Sequence, residues 1–541
     1  MRKLPIGIQG FEKLITSDFV YVDKTEYIYK LVSTGKVYFL SRPRRFGKSL
    51  LVSTMKAYWQ GKKELFRGLK IEELQNGEWI PHPVFHFDFD GGFNFGNLTG
   101  LESILDEQLM RWEKEYNIKP DDYITNVSDN ELNALGKRFR YLIVEAYRQT
   151  GFRVVILVDE YDKSLLEVME QPELEEHNKS VFKGFFGSLK SFDEYLEFVF
   201  ITGVTKFEKV SIFSDLNQLR DISFNRNYAG ICGITEQEIK DNFSLEIKSF
   251  AEEYNLSQDE CLERLKQTYD GYHFHPRGVS VYNPFSLLNA FADHEFRSYW
   301  FETGTPTFLV RRIANSSFDV RKFTNRTLYA NERRLSNYRA DNSDLVPLLY
   351  QTGYLTIADY DSSSQEYTLS FPNKEVEYSL LESLIPEYSL NYNSGTGNDI
   401  FTLRRYVEDG NFDGIRDILT ALFAGIPYTQ KASPFEHYFQ SVIYIIFTLL
   451  GKSIICEMHT ATGRIDCVLQ AKSFIYIFEF KRDDTAENAL KQIDENGYAL
   501  PFIADKRRLY KIGVVFDSEK RVLKEWKAEE FIAREISSRS Q

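Results

Sequence analysis

The sequence predicts an α/β protein built in more than one domain, and three observations predict it. Short apolar runs alternate with helix-patterned stretches up to about residue 230. The tripeptide Gly47-Lys48-Ser49 sits in a strand, loop, helix order. Near the C-terminus a second pair of strands carries charged residues in apolar surroundings. At 541 residues the chain exceeds what one hydrophobic core supports, and roughly 100–200 residues per domain gives three or four units.

Taken in order, Val37 to Leu40 (VYFL) reads as a buried strand, Ser41 to Leu51 as a loop leading into a helix, and Ser49 to Trp59 as that helix. Phe152 to Val158 is a near-continuous apolar run of the kind found in parallel sheets covered on both faces, and Phe198 to Thr202 reads as a third strand. A helical region follows, roughly 235–345. Leu348 to Gly353 reads as a helix end with a glycine stop. YLTIADY, the turn DSSSQ and EYTLSFP then read as a hairpin, with a helix Glu375 to Leu384 behind it. Such a unit is similar to a winged helix, which binds DNA or bridges domains; a hairpin without basic residues favours bridging. The small, polar segment Ser389 to Asp399 reads as a linker, and there is no internal repeat. The expected division is 1–232, 233–388 and 389–541.

Composition narrows the function classes. A hydrophobic content of 43%, a charged content of 27% and no biased tract describe ordinary globular protein. No apolar run approaches the ~18 residues needed to span a bilayer, and the N-terminus MRKLPIGIQGFEKL lacks a secretory core, so a cytoplasmic location without membrane contact is expected. Four scattered cysteines and the single close histidine pair, His273 and His275, imply neither a disulfide framework nor a zinc cluster. A formal charge of −13 argues against general polyanion binding. Local charge can differ: between Arg311 and Arg334 seven basic residues face two acidic ones, interleaved with Phe318, Phe323 and Tyr329. That mixture suits either a phosphate-gripping, base-stacking surface or a solvated helix face.

The loop SRPRRFGKSLL has the GK[ST] end of a phosphate-binding loop, but Arg42 stands where its first glycine belongs. Lys48 is positioned to reach the β- and γ-phosphates of ATP and Ser49 to ligate Mg²⁺, at a helix start that offers free N–H groups to an anion. Independent support comes from VVILVDE, in which Asp159 and Glu160 end a strand where α/β sheets bind ligands. In that Walker B pattern Asp159 holds Mg²⁺ through its water shell and Glu160 polarises the attacking water; the alternative for an isolated Asp-Glu pair is a helix cap. Thr202 or Thr205, in FITGVTKF, either senses the γ-phosphate or caps its strand. Arg220 and Arg226 are candidates for positive charge at the transition state, or surface arginines.

GRIDCVL and FIYIFEFK read as two strands joined by a polar turn. Glu479 and Lys481 lie two apart and share a face, and burying them among Phe, Ile and Tyr is costly unless metal or substrate compensates. The spacing suits divalent-metal phosphodiester cleavage: Asp466, Glu479 and the Phe480 carbonyl bind Mg²⁺, while Lys481 orients or deprotonates the attacking water. Glu436 upstream, and Gln492 and Tyr498 downstream, are placed to support the site. A structural salt bridge of Lys481 with a carboxylate is the alternative.

With these residues in hand, the chain resembles the AAA-ATPase-like family that carries a C-terminal PD-(D/E)XK nuclease-superfamily domain. The segments are GIQGFEKLI…YVDKT, RPRRFGKS, LVDEYD, ITGVTKFEKVSIFSDLNQL, YDGYHF…VYNPFS and GRIDCVL…FEFK. The resemblance implies a P-loop NTPase α/β domain, a helical and winged-helix-like middle, and a restriction-endonuclease-like α/β domain. It implies ATP and Mg²⁺ as cofactors, with Arg44, Arg45, Phe46, Gly47, Lys48, Ser49, Leu50, Asp159 and Thr202 around the nucleotide and Tyr21, Asp23 or Lys24 near it. YDGYHF would belong to the lid region. Nucleic acid is the implied partner, DNA ahead of RNA, and a homo-oligomer stays open. The family's P-loop also lacks the first glycine, so Arg42, Arg44 and Arg45 are expected to crowd the phosphates, with Pro43 donating no N–H. Two readings of another class remain: an ATP-driven switch whose nuclease-like domain only binds, and a signalling ATPase that regulates transcription through the winged-helix-like unit.

Overall fold

The computed structural model describes residues 2–90, 95–119, 131–169, 171–207, 219–304, 307–315, 322, 327–336, 344–388, 397–424, 435–450, 453–459, 463–517, 519–520 and 522–532. The chain divides into two compact units, one of residues 1–304 and 328–375 and one of residues 305–327 and 376–541.

In the first unit, five strands form a parallel sheet in the order β2-β3-β4-β1-β5: β1 is Val37–Ser41, β2 Val84–Asp88, β3 Val154–Asp159, β4 Leu196–Gly203 and β5 Arg220–Asp221. β3 is buried along its whole length, as its unbroken Val-Val-Ile-Leu-Val run requires of a strand with helices on both faces. It starts at Val154, and Phe152 is an exposed flank. The strand carrying the phosphate-loop motif and the strand carrying Asp159 are not neighbours, because β4 lies between them. Because the pairs are parallel, the C-terminal ends of all three strands lie on one edge of the sheet.

The helical region begins with Glu236–Asn242 and continues through Ser244–Glu253, Gln258–Tyr269 and Pro284–Asp293. Two of these start on capping boxes, Thr235 with Glu238 and Ser257 with Glu260, in which hydroxyl and carboxylate satisfy each other's backbone N–H groups. Phe243, Phe250, Leu265 and Phe291 fill the core between the helices. Beyond it, the helix Val346–Gln351 precedes the hairpin of β7 (Thr356–Asp361) and β8 (Glu366–Ser370). β6 (Leu328–Ala330) adds a third antiparallel strand to that hairpin. Helix, hairpin and the following helix Lys374–Tyr388 appear in the order expected of a winged-helix-like element.

The second unit holds a mixed sheet in the order β13-β12-β11-β10-β9, with β9 Ser453–His459, β10 Arg464–Gln470, β11 Phe474–Arg482, β12 Arg508–Asp517 and β13 Val522–Glu530. β11 and β12 are parallel and the remaining pairs antiparallel. The helix Ala486–Glu495 makes the crossover between the parallel pair, as parallel strands demand. β12 and β13 go unannounced by the patterns above, although Leu509 to Phe516 is an almost continuous apolar run. Of the segment Ser389 to Asp399, only 397–399 are described, and they open the helix Gly397–Asp409. Phe318, Arg321, Phe323 and Arg326 lie outside the described residues, and Arg334 pairs with Asp344. Among the described residues no helix is long and apolar enough to cross a membrane.

Candidate functional site

The phosphate loop joins β1 to the helix Lys48–Trp59, with Gly47 in the left-handed region (φ 90°) as its N-cap. The Lys48 ammonium is buried and donates to the carbonyls of Arg42 and Pro43, both at 3.1 Å. It is thus held inside the loop, over the helix N-terminus where an anion binds best. Around this point lies a cavity of ≈ 370 Å³ lined by Arg44, Arg45, Gly47, Ser49, Leu50 and Glu160, among others.

Asp159 ends β3 next to this loop and is 3% exposed. Burial pushes its carboxyl up to about 7, against the lowering influence of a hydrogen bond from Ser49; the nearby Glu160 charge also raises it. One of its oxygens, Oδ1, has no hydrogen-bond partner. A buried, unpartnered carboxylate oxygen beside a serine hydroxyl fits a Mg²⁺ ligand set, because a hard cation takes oxygen donors and keeps several waters. Glu160 follows with φ 52°, a strained value for a side chain of its size, and lines the cavity. Burial raises its pKa too.

Other expected residues are committed elsewhere. The Thr202 hydroxyl donates to the Leu40 carbonyl at 2.9 Å, and Thr205 donates to Asp162 at 2.6 Å. Each hydroxyl thus ties β4 or the turn after it to a neighbour, and contact with a phosphate would require that bond to be given up. Arg220 and Arg226 are exposed and do not line the cavity. Asp23 accepts from the N–H groups of Thr25 and Lys70, and Lys24 is bonded to Glu238 at 2.7 Å and to the Gly230 carbonyl at 2.8 Å. Tyr21 and Lys24 do border an apolar hollow beside Gly47 and Leu50.

Arg42 departs from its expected place at the phosphates. It is 1% exposed and points behind the loop, donating to the carbonyls of Ser41, Ser223 and Tyr228 at 2.8–3.0 Å. Its guanidinium lies 3.9 Å from the Phe274 ring centroid. The reason is electrostatic: a cage of carbonyls and an aromatic face compensate the buried guanidinium. Phe46 is also turned inward, edge-on to Tyr272 and Phe274. Only Arg44 and Arg45 of the three arginines border the cavity, Arg45 with its guanidinium 5.0 Å from the Phe285 ring. Tyr272 and Phe274, which receive Arg42 and Phe46, belong to YDGYHF, the segment expected in the lid region.

In the second unit, Cys467 pairs with Phe478, so one step along the antiparallel ladder sets Asp466 opposite Glu479. Asp466 accepts from the Phe480 N–H at 2.9 Å, which fixes its carboxylate across the two strands. Glu479 is 2% exposed. Burial, and then the Asp466 charge, push its carboxyl up to about 7. Its Oε1 accepts from Lys481 at 3.2 Å, whereas Oε2 has no hydrogen-bond partner. Lys481 also donates to Gln492 on the crossover helix. The strand pair therefore brings two carboxylates and an ammonium to one face, with one carboxylate oxygen unsatisfied, and this donor set fits a divalent cation. Tyr498 is buried behind β10 and accepts from Asn496 at 3.0 Å. Glu436 falls on the helix Phe435–Leu449, with its side chain outside the described residues.

The comparisons with known proteins agree with this division. Residues 5–213 match the family described as Predicted AAA-ATPase, and residues 434–526 match the PD-(D/E)XK nuclease superfamily. A protein of Azotobacter chroococcum mcd 1, named "Uncharacterized protein in vnfD 5'region", is 36% identical over 537 residues, covering 96% of this chain and 97% of its own. No solved structure matches. A relative that similar along nearly the whole length, together with the two matched domains, places the chain in the family of AAA-ATPase-like proteins that carry a C-terminal PD-(D/E)XK nuclease-superfamily domain.

Proposed function

We propose that the protein binds and hydrolyses ATP in its first unit, and that the nucleotide controls a Mg²⁺-dependent nuclease in its second, with DNA as the preferred substrate and the cytoplasm as its place of action. The observation that carries the nuclease reading is the convergence of Asp466, Glu479 and Lys481, in which a buried Glu479 oxygen lacks any hydrogen-bond partner. When bound, Mg²⁺ polarises the phosphoryl oxygens and lowers the pKa of water. Asp466, Glu479 and the Phe480 carbonyl would hold it. Lys481, kept in place by Gln492 and Glu479, orients the attacking water and offsets the charge that builds on phosphorus.

In the ATP site, Lys48 is the phosphate ligand, Ser49 and Asp159 would hold Mg²⁺, and Glu160 positions the attacking water. Arg44 and Arg45 face the same cavity and can stabilise the transferring phosphoryl group from within the loop, a role that Arg220 and Arg226, which do not line it, leave to them. The three-part division at 232 and 388 belongs to this reading, with 233–388 as the connecting region.

The test is cleavage of single- and double-stranded DNA and RNA with Mg²⁺, with and without ATP, beside an Asp466→Ala control. Mg²⁺-dependent products from the wild type and none from the control are expected. Equal cleavage by both would sink the proposal.

A further inference from the structure

The face of the phosphate loop turned away from the nucleotide is held at several points by the segment that ends in the hairpin. Trp300, 1% exposed, donates its indole N–H to the Arg44 carbonyl at 3.0 Å. Its own backbone N–H donates to Glu375 Oε1 at 2.8 Å, which also accepts from Ser286 at 3.0 Å. Its ring lies against Tyr354, with centroids 5.3 Å apart. Gly353, the residue that stops the helix Val346–Gln351, has φ 92°, and a Cβ placed on it would lie 2.7 Å from Pro43 Cβ. Gln351 in the same helix accepts the Lys206 N–H at 2.9 Å, just beyond β4. Arg42 and Phe46 complete the inward-turned side.

We infer that Trp300 is a positioning residue for the ATP site: through the Arg44 carbonyl, with Gly353 seated on Pro43, it locks the Arg-Pro-Arg-Arg-Phe loop to the helix and hairpin at 346–370. The inference rests on the ATP reading for its function, and on the contacts alone for its geometry. A phosphate loop normally uses glycines to let its backbone wrap the phosphates. Here Arg42 and Pro43 replace that freedom, so the backbone at Arg44 must be fixed from behind for Arg44 and Arg45 to face the nucleotide. The carbonyl bond does this with a donor that carries no charge and whose ring is held by Tyr354. Glu375, which accepts the Trp300 N–H, lies in the first turn of the helix Lys374–Tyr388, whose residues from 376 on belong to the second unit.

Trp300→Phe tests this, since it removes the donor while keeping an aromatic ring beside Tyr354, at the cost of some buried volume. Gly353→Ala is the second variant, acting on Pro43 instead. Phe291→Leu, in the core of the helical region, is the control for general destabilisation. Amide exchange in the nucleotide-free protein and ATP titration by calorimetry are read for each. Trp300→Phe and Gly353→Ala are expected to raise exchange at 46–51 and to weaken ATP binding about tenfold, whereas Phe291→Leu lowers Tm and leaves both unchanged. Wild-type exchange at 46–51 in Trp300→Phe and Gly353→Ala overturns the positioning role. So does an equal loss of ATP affinity in Phe291→Leu. Faster exchange in the two variants, with no ATP binding by the wild type, keeps the positioning role and instead sinks the ATP reading.

Discussion

Two carboxyl groups, Asp159 and Glu479, sit in the same physical situation in separate units. Each is buried, each is raised to about 7, and each keeps an oxygen without a hydrogen-bond partner. A carboxyl whose pKa is raised on folding contributes stability that is fully present below its unfolded pKa and is lost as pH rises through the folded value. Without metal, the protein is therefore expected to lose stability between about pH 4 and pH 8, each tenfold gain in a carboxyl's proton affinity on folding being worth about 1.4 kcal/mol. Mg²⁺ should raise Tm at pH 8, where both carboxylates are ionised, and do little at pH 5. Thermal unfolding at the two pH values checks this, and Asp159→Asn with Glu479→Gln should flatten the slope; an equal Mg²⁺ effect at both pH values would contradict the metal-ligand assignment. At the phosphate loop, Lys48→Ala is expected to remove ATP binding in a calorimetric titration. Arg42→Ala should act differently, leaving the carbonyls of Ser223 and Tyr228 without their donor at a cost of about 3 kcal/mol or more. These two lysine and arginine neighbours show where a sequence is legible. Lys48 and Asp159 could be singled out because a Gly-Lys-Ser end after a strand and a carboxylate ending a buried strand are local patterns. The place of Arg42 could not be, because its fate is decided by Ser223, Tyr228 and Phe274, which are close only after folding.

The elements that carry the second site depend on one narrow contact. The helix Ala486–Glu495 presents Gln492 to Lys481 and crosses β12 at Gly513, where an added Cβ would lie 2.5 Å from the Ala486 carbonyl oxygen. A backbone atom cannot yield as a flexible side chain does, so Gly513→Ala is expected to push the helix off the sheet. Loss of Mg²⁺-dependent cleavage with Lys481 itself intact, a Tm lower by several degrees for that unit and unchanged ATP affinity would be the signature. Full cleavage activity in this variant would show that Gln492 does not position Lys481. The helix, hairpin and β11 were legible from periodicity and turn chemistry, since Gly353, DSSSQ and the Glu479-Phe480-Lys481 spacing are local signals. β12 was not read from the sequence. Its apolar run is interrupted by Lys511, which folding pairs with Asp494 and Glu529.

At the scale of the whole molecule, the proposed nuclease reading asks a chain with a net charge of −13 to bring a polyanion to a site whose own ligands are carboxylates. On that reading, counterion release contributes little to affinity, and Mg²⁺ together with a few local cations such as Lys481 would hold the nucleic acid. Control by ATP would then need only a small free-energy input, because a coupling of about 1–3 kcal/mol shifts affinity by roughly five- to 150-fold. Reciprocity gives the decisive measurement. If nucleotide at Lys48 changes DNA affinity at Asp466 and Glu479, DNA must change nucleotide affinity by the same factor. ATP titrations with and without a duplex whose phosphorothioate linkages resist cleavage are expected to differ by that factor, and Lys48→Ala should bind the duplex with an affinity that no longer responds to ATP. Identical ATP affinity with and without saturating duplex would mean that the two sites share a chain without sharing an equilibrium.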